Sequence, residues 1–131
     1  MEYGEKHYSH PNLTRVVADL ADLDDLFYRG IQMVTAFEIV EHTDKAPAFL
    51  ERVAADFLVC SVPNENTIPF AEATHREHYR HYRPVELHEE LQAAGWQVQY
   101  MGSQPGKRKA KAKIKPELTG RTLIAYAHRS L

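Results

Sequence analysis

The chain has 131 residues, 44% apolar and 26% charged, with a formal net charge of −2. That is the composition of one globular domain, and it excludes a molecule drawn as a whole to nucleic acid or anionic membranes. The one cysteine, Cys60, excludes an internal disulfide and reads as a reduced core thiol, and no apolar stretch approaches the roughly 20 residues that span a bilayer.

The polar start, Met1-Glu2-Tyr3-Gly4-Glu5-Lys6, has no signal-peptide pattern, so a cytoplasmic protein is expected. Glu2 to His7 reads as the tail of a helix that Ser9-His10-Pro11-Asn12 breaks. Leu13 to Asp19, rich in β-branched residues, reads as a short strand, and Asp22 to Arg29 as one or two helical turns stopped by Gly30. Ile31 to Val40 is nearly all apolar, which predicts a strand covered on both faces. Thr43-Asp44 caps a helix expected to reach about Ala55, with Phe49, Leu50 and Val53 on its inner face.

Phe57 to Val62 reads as a second buried strand ended by Pro63-Asn64, and a polar loop runs from Glu65 to Arg83. Pro84 suits the first turn of a helix from Val85 to Ala94, closed by Gly95 in a left-handed cap. Trp96 to Met101 and Thr122 to His128 alternate as strands do, joined by a lysine-rich connection. The order β-α-β-α-β-α-β-β predicts an α/β domain over residues 1–131, parallel at first and finishing in an antiparallel hairpin.

The run Val34-Thr35-Ala36-Phe37-Glu38-Ile39-Val40-Glu41-His42 is a strand ending in acidic and imidazole groups, where an open α/β sheet places its chemistry. It resembles the fourth-strand motif of class I S-adenosylmethionine (SAM) dependent methyltransferases, although Gln32 stands where an Asp is usual. Ser61-Val62-Pro63-Asn64 resembles that family's fifth-strand exit, His78 to Leu87 the approach to its last helix, and Thr122 to Ala127 its closing strand. The resemblance covers nearly the whole chain as the C-terminal half of such a domain, a partial Rossmann-like sheet. It implies SAM as cofactor, with Asp19 and Leu20 on the adenine side and Phe37 beside it.

The departure is in the cofactor cradle. The six glycines (4, 30, 95, 102, 106, 120) never form a G-x-G-x-G spacing, so the resemblance implies a truncated or split domain. In the family the fourth strand is central; here Ile31 to Val40 would present an unpaired apolar edge. Three remedies are expected: the Leu13–Asp19 strand slides over to pair with it, two copies join edge to edge, or a complementary N-terminal half is supplied by another polypeptide.

Glu38-x-x-Glu41-His42 sets two carboxylates and an imidazole at a strand end, a mixed oxygen and nitrogen set suited to Mg²⁺, Mn²⁺ or Zn²⁺. The plainer alternative is two acids favouring a helix N-terminus. The pattern is similar to a metal site in the ubiquinone-pathway O-methyltransferases and the small-RNA 3′-terminal ribose methyltransferases. In the RNA branch a further histidine precedes the last helix, and His78 matches it, so the resemblance implies the metal set Glu38, Glu41, His42 and His78. His42 and His78 are the expected catalytic residues.

His75, His78, His81 and His88, interleaved with Arg76, Tyr79, Arg80, Tyr82 and Arg83, read either as a substrate lid with a histidine base or as aromatic packing with solvated arginines. The resemblance favours a substrate-side role for His78 and Tyr82. Lys107 to Lys115 carries six positive charges in nine residues, either an RNA-gripping patch or a solvated hairpin tip. The function expected is methyl transfer to an oxygen of a small molecule, sugar or ribose; the alternative is a non-catalytic partner-binding or regulatory module.

Overall fold

The computed structural model describes residues 6–106 and 113–129. Four strands form one sheet in the order β1-β2-β4-β3. β1 (Met33–Phe37) and β2 (Phe57–Pro63) run parallel, with Thr35 opposite Val59, and are joined through the helix α1 (Ala46–Arg52). A second helix, α2 (Pro84–Ala93), leads to β3 (Gln97–Gln104). β4 (Thr122–His128) then returns antiparallel to β3 and inserts between it and β2, with Val59 opposite Tyr126. The parallel start and antiparallel finish are those expected.

Local chemistry accounts for the helix ends. The Thr43 hydroxyl accepts the Lys45 N–H at 3.1 Å ahead of α1, and Pro47 lies in its first turn. Glu86 reaches back to accept the Arg83 N–H at 2.8 Å, closing the start of α2. Gly95 takes φ +94°, and the Gly95 and Trp96 N–H groups return to the Gln92 and Leu91 carbonyls at 3.0 and 2.9 Å. That Schellman closure requires a left-handed residue.

Alternation puts Leu58, Cys60 and Val62 of β2 and Leu123, Ala125 and Ala127 of β4 against Leu50, Val53, Leu87, Leu91 and Trp96, all essentially buried. Burial pushes the Cys60 thiol up to about 12, with Glu90 and Glu41 adding to it, so it is an inert packing group. Arg129 locks this core. Its guanidinium lies 4.0 Å over the Trp96 ring and donates to the carbonyls of Leu50, Glu51, Val53 and Ala94 at 2.7–3.2 Å, the C-terminal ends of both helices.

Three expectations need correcting. Leu13 to Asp19 forms no strand: it pairs with no neighbour among the described residues, and Leu13, Val16 and Val17 stay 48%, 61% and 78% exposed. It therefore does not slide over to cover β1. Asp22 to Arg29 is a series of turns after the short 3-10 turn Leu20–Asp22, anchored by buried Tyr28 and ended by Gly30 at φ +78°. The strand expected over Ile31 to Val40 shrinks to Met33–Phe37, and it is neither central nor covered twice. Ala36 is buried and Val34 partly so beneath the core, whereas Met33, Thr35 and Phe37 are exposed.

The expected N-terminal helix is seen only in the helical backbone of Lys6 and His7, and residues 107–112 of the lysine-rich run lie outside the described residues. No described helix is long and apolar enough to cross a membrane.

Candidate functional site

At the end of β1 the chain makes a sharp turn. Glu38 adopts φ +52°, a left-handed conformation that costs a residue with a Cβ on the order of 1 kcal/mol. It is held by Ser61 of β2, whose carbonyl and hydroxyl both receive the Glu38 N–H at 3.0 and 3.1 Å. The turn sends the backbone into a 3-10 turn, Val40–His42, that buries Val40 and Glu41.

Glu41 is only 1% exposed, and no lysine or arginine pairs with it among the described residues. Among the described residues its one oppositely charged partner is His42, with Nε2 3.6 Å from Glu41 Oε1, and Glu41 Oε2 is left without a hydrogen-bond donor. Burial lifts the carboxyl to about 7. Its own backbone N–H pulls it down, and the Glu38 carboxylate, through charge and a shared hydrogen bond, pushes it back up.

Two hydrogen bonds bring the loop before α2 over this turn. The Tyr79 N–H donates to the Glu41 carbonyl at 2.7 Å, and His42 Nδ1 donates to the Glu77 carbonyl at 2.9 Å. His78, between the two tethers, therefore arrives beside His42, its ring edge-on at a centroid distance of 4.6 Å. Glu41, His42 and His78 each offer one ligand atom, all within 4.8 Å of one another. Desolvation holds His78 below the ordinary histidine range, reinforced by His42, His81 and His75.

Of the four residues expected as metal ligands, Glu41, His42 and His78 form the compact set, while Glu38 stands beside Glu41, near enough to act on its carboxyl. Glu38 also lines a cleft of about 420 Å³ with His75, His78, His81, Arg121 and Thr122. A buried acid with a free oxygen and no protein cation beside it, next to two imidazoles, is a donor set that a divalent ion satisfies.

Asp19 and Leu20 line a different cleft, of about 680 Å³, with His42, Phe49, Arg52 and Tyr79. One Asp19 oxygen is occupied there, capping the Ala21 N–H at 2.9 Å. Phe37, 57% exposed, lies on a third cleft of about 400 Å³ with Val59, Ile114 and Ile124. The three residues expected around the cofactor thus fall in two separate clefts.

Tyr82 packs inside the fold with the Arg80 guanidinium 4.1 Å from its ring centre, so it does not line a lid. His75, His78 and His81 stack together against Phe70, while His88 stands apart on α2. Sequence reasoning missed Ser61, the Glu77 carbonyl and Arg121. The Glu77 carbonyl is a main-chain group, which leaves no residue-type signature, and the Ser61 hydroxyl meets Glu38 only through the pairing of β1 with β2.

No protein-family model matches the sequence, and no curated protein does so significantly. Solved structures do. A methyltransferase in complex with the Haloferax volcanii Trm112 methyltransferase activator superposes with TM-score 0.70 at 17% identity, over 97% of this chain and 65% of that one. The small RNA methyltransferase HEN1 gives TM-score 0.63 at 17% identity, over 86% of this chain and 15% of that one. A SAM-dependent methyltransferase of Thermotoga maritima gives 0.61 at 10% identity, over 76% and 56%. The chain thus spans less than two thirds of the length of each of these proteins, and it has the fold of the class I SAM-dependent methyltransferases.

Proposed function

We propose that this chain supplies the acceptor side of a SAM-dependent methyltransferase acting on a hydroxyl of a small molecule, sugar or ribose. In this reading Glu41, His42 and His78 hold a divalent ion, and Glu38 faces the acceptor from the cleft wall. The observation that carries it is the convergence of a buried, half-unsatisfied carboxylate with two imidazoles from distant segments, at a strand end of this fold. Bound there, a divalent ion would polarise the acceptor hydroxyl and lower its pKa. The protein's own contributions are to aim Nε2 of His42, to give up the Glu41 proton when that group becomes a ligand, and to hold the acceptor oxygen in line.

The SAM site is completed by a further segment or polypeptide. The reading rests on the missing glycine spacing, the division of Asp19, Leu20 and Phe37 between two clefts, and the open edge of β1. A methyltransferase–activator complex among the structural neighbours is in keeping with it. An RNA acceptor has two supports: Lys115 and Arg121 line a neighbouring cleft of about 560 Å³, and one neighbour is a small RNA methyltransferase.

Calorimetric titration tests the proposal. Mn²⁺ is expected to bind the wild type at pH 7.5, with Glu41→Gln and His78→Ala each weakening it about 100-fold; equal binding by all three overturns the site. SAM is expected to bind only after a complementary N-terminal methyltransferase half is added. The second reading, a non-catalytic module that docks a partner along β1, is favoured by the exposed Met33, Thr35 and Phe37 on that edge strand. It prevails if SAM binds neither alone nor with that half.

A further inference from the structure

His81 differs from the other histidines of its loop. It is 3% exposed, no acid is among its hydrogen-bond partners, and both ring nitrogens are engaged. Nδ1 lies 2.7 Å from the Ile68 carbonyl, and Nε2 lies 2.7 Å from Nδ1 of His78. A carbonyl oxygen only accepts, so His81 Nδ1 carries a proton. With no acid beside the ring to hold a second proton, Nε2 is then a bare lone pair, which can only accept. The proton between the two rings therefore belongs to His78 Nδ1, and the remaining His78 nitrogen, Nε2, is left as a lone pair.

The anchor of this relay is rigid. The Ile68 N–H is tied to the Asn64 carbonyl at 2.7 Å, and buried Asn64 donates its side-chain amide to the Leu118 and Gly120 carbonyls at 3.1 and 2.8 Å. His42 reaches the same tautomer by a shorter route, its Nδ1 donating to the Glu77 carbonyl. His75 takes the opposite one, because its Nδ1 accepts the Ala71 N–H at 3.1 Å. Three neighbouring imidazoles are thus sorted by their backbone partners, and only His42 and His78 keep Nε2 open.

We propose that His81 is a positioning residue, a buried relay that carries the orientation of the Ile68 carbonyl to His78 and fixes His78 as an Nε2 donor of electrons at the Glu41–His42 turn. The proposal rests on the divalent-ion reading of that set. Ligating histidines are oriented by what their other nitrogen bonds, and loss of such a partner typically weakens metal binding about 10- to 100-fold. Here the partner is a second imidazole, which transmits the direction of a main-chain group one ring further.

Long-range ¹H–¹⁵N correlation of the imidazoles in the ¹⁵N-labelled whole chain tests it, with Zn²⁺ titration of the same samples. In the wild type His78 and His42 are expected protonated at Nδ1. His81→Phe, which fills the space beside Phe70 and accepts nothing, is expected to release His78 from its single tautomer and to weaken Zn²⁺ binding at least about 10-fold. His81→Gln keeps an amide N–H for Ile68 and an oxygen for His78, and is expected to restore both. A wild-type His78 protonated at Nε2 overturns the proposal even if no variant folds. So does an unchanged tautomer and affinity in His81→Phe. A tautomer that responds to His81 in a wild type that binds no Zn²⁺ upholds the relay and overturns the metal reading alone.

Discussion

The Glu41 carboxyl puts a pH dependence into the molecule. Its folded value near 7 lies above the ordinary 4.5, so between those values the folded state binds more protons than the unfolded chain, and stability falls as pH rises. Below the window both states are protonated and the penalty vanishes; above it the cost is complete, on the order of 3 kcal/mol. Urea denaturation is therefore expected to show the wild type weakening from pH 5 to pH 8 relative to Glu41→Gln, with the variant the more stable by about 2–3 kcal/mol at pH 8. Parallel profiles for the two proteins would refute it. Mn²⁺ is expected to raise the wild-type melting temperature more at pH 8 than at pH 5.5, where it competes with a proton, and to leave Glu41→Gln unmoved. Much of this site was legible beforehand, because the acids and His42 follow directly on a strand-like run. The sharp turn at Glu38 was not: a left-handed glutamate arises from the Ser61 contacts, and nothing in Glu-Ile-Val-Glu announces it. Nor does the text of the loop distinguish buried His81 from solvent-facing neighbours.

Among the elements, the guanidinium of Arg129 closes two helices at once. Arg129→Met keeps the aliphatic stem against Trp96 but takes the donor from the Glu51, Val53 and Ala94 carbonyls, while Leu50 keeps the Trp96 Nε1–H at 2.9 Å, and is expected to cost about 3 kcal/mol in urea denaturation. Arg129→Lys keeps the charge without the planar fork and is expected to recover less than half of that loss. A cost below about 1 kcal/mol for Arg129→Met would show that solvent serves those carbonyls equally well. β2, α2 and the Gly95 closure were readable because their signals are local: a buried apolar run, a proline start and a left-handed glycine stop. Leu13 to Asp19 misled because β-branched residues form a strand only beside another. Ile31 to Val40 was overextended because Ile31, Ile39 and Val40 pack against the core without pairing in the sheet.

On the scale of the whole molecule, the helices lie on one face of the sheet and β1 closes nothing. The Gln32 carbonyl accepts from Phe57 and the Glu38 N–H donates to Ser61, so the even-numbered residues of this parallel strand face β2. The backbone groups of Met33, Thr35 and Phe37 point to the open edge, with no charged side chain within the strand to guard it. Sedimentation velocity is expected to show concentration-dependent association that Thr35→Pro, which removes an outward N–H and leaves the ladder to β2 intact, suppresses at least several-fold. A single monomeric boundary at every concentration would refute this. The reach of Arg129 has a consequence for biosynthesis. Helices at 46–52 and 84–93 share a clasp made by residue 129, so a ribosome must pass that codon before either can be sealed. Closure of both helix ends is therefore expected to follow the docking of residue 129, with the core between them open until then.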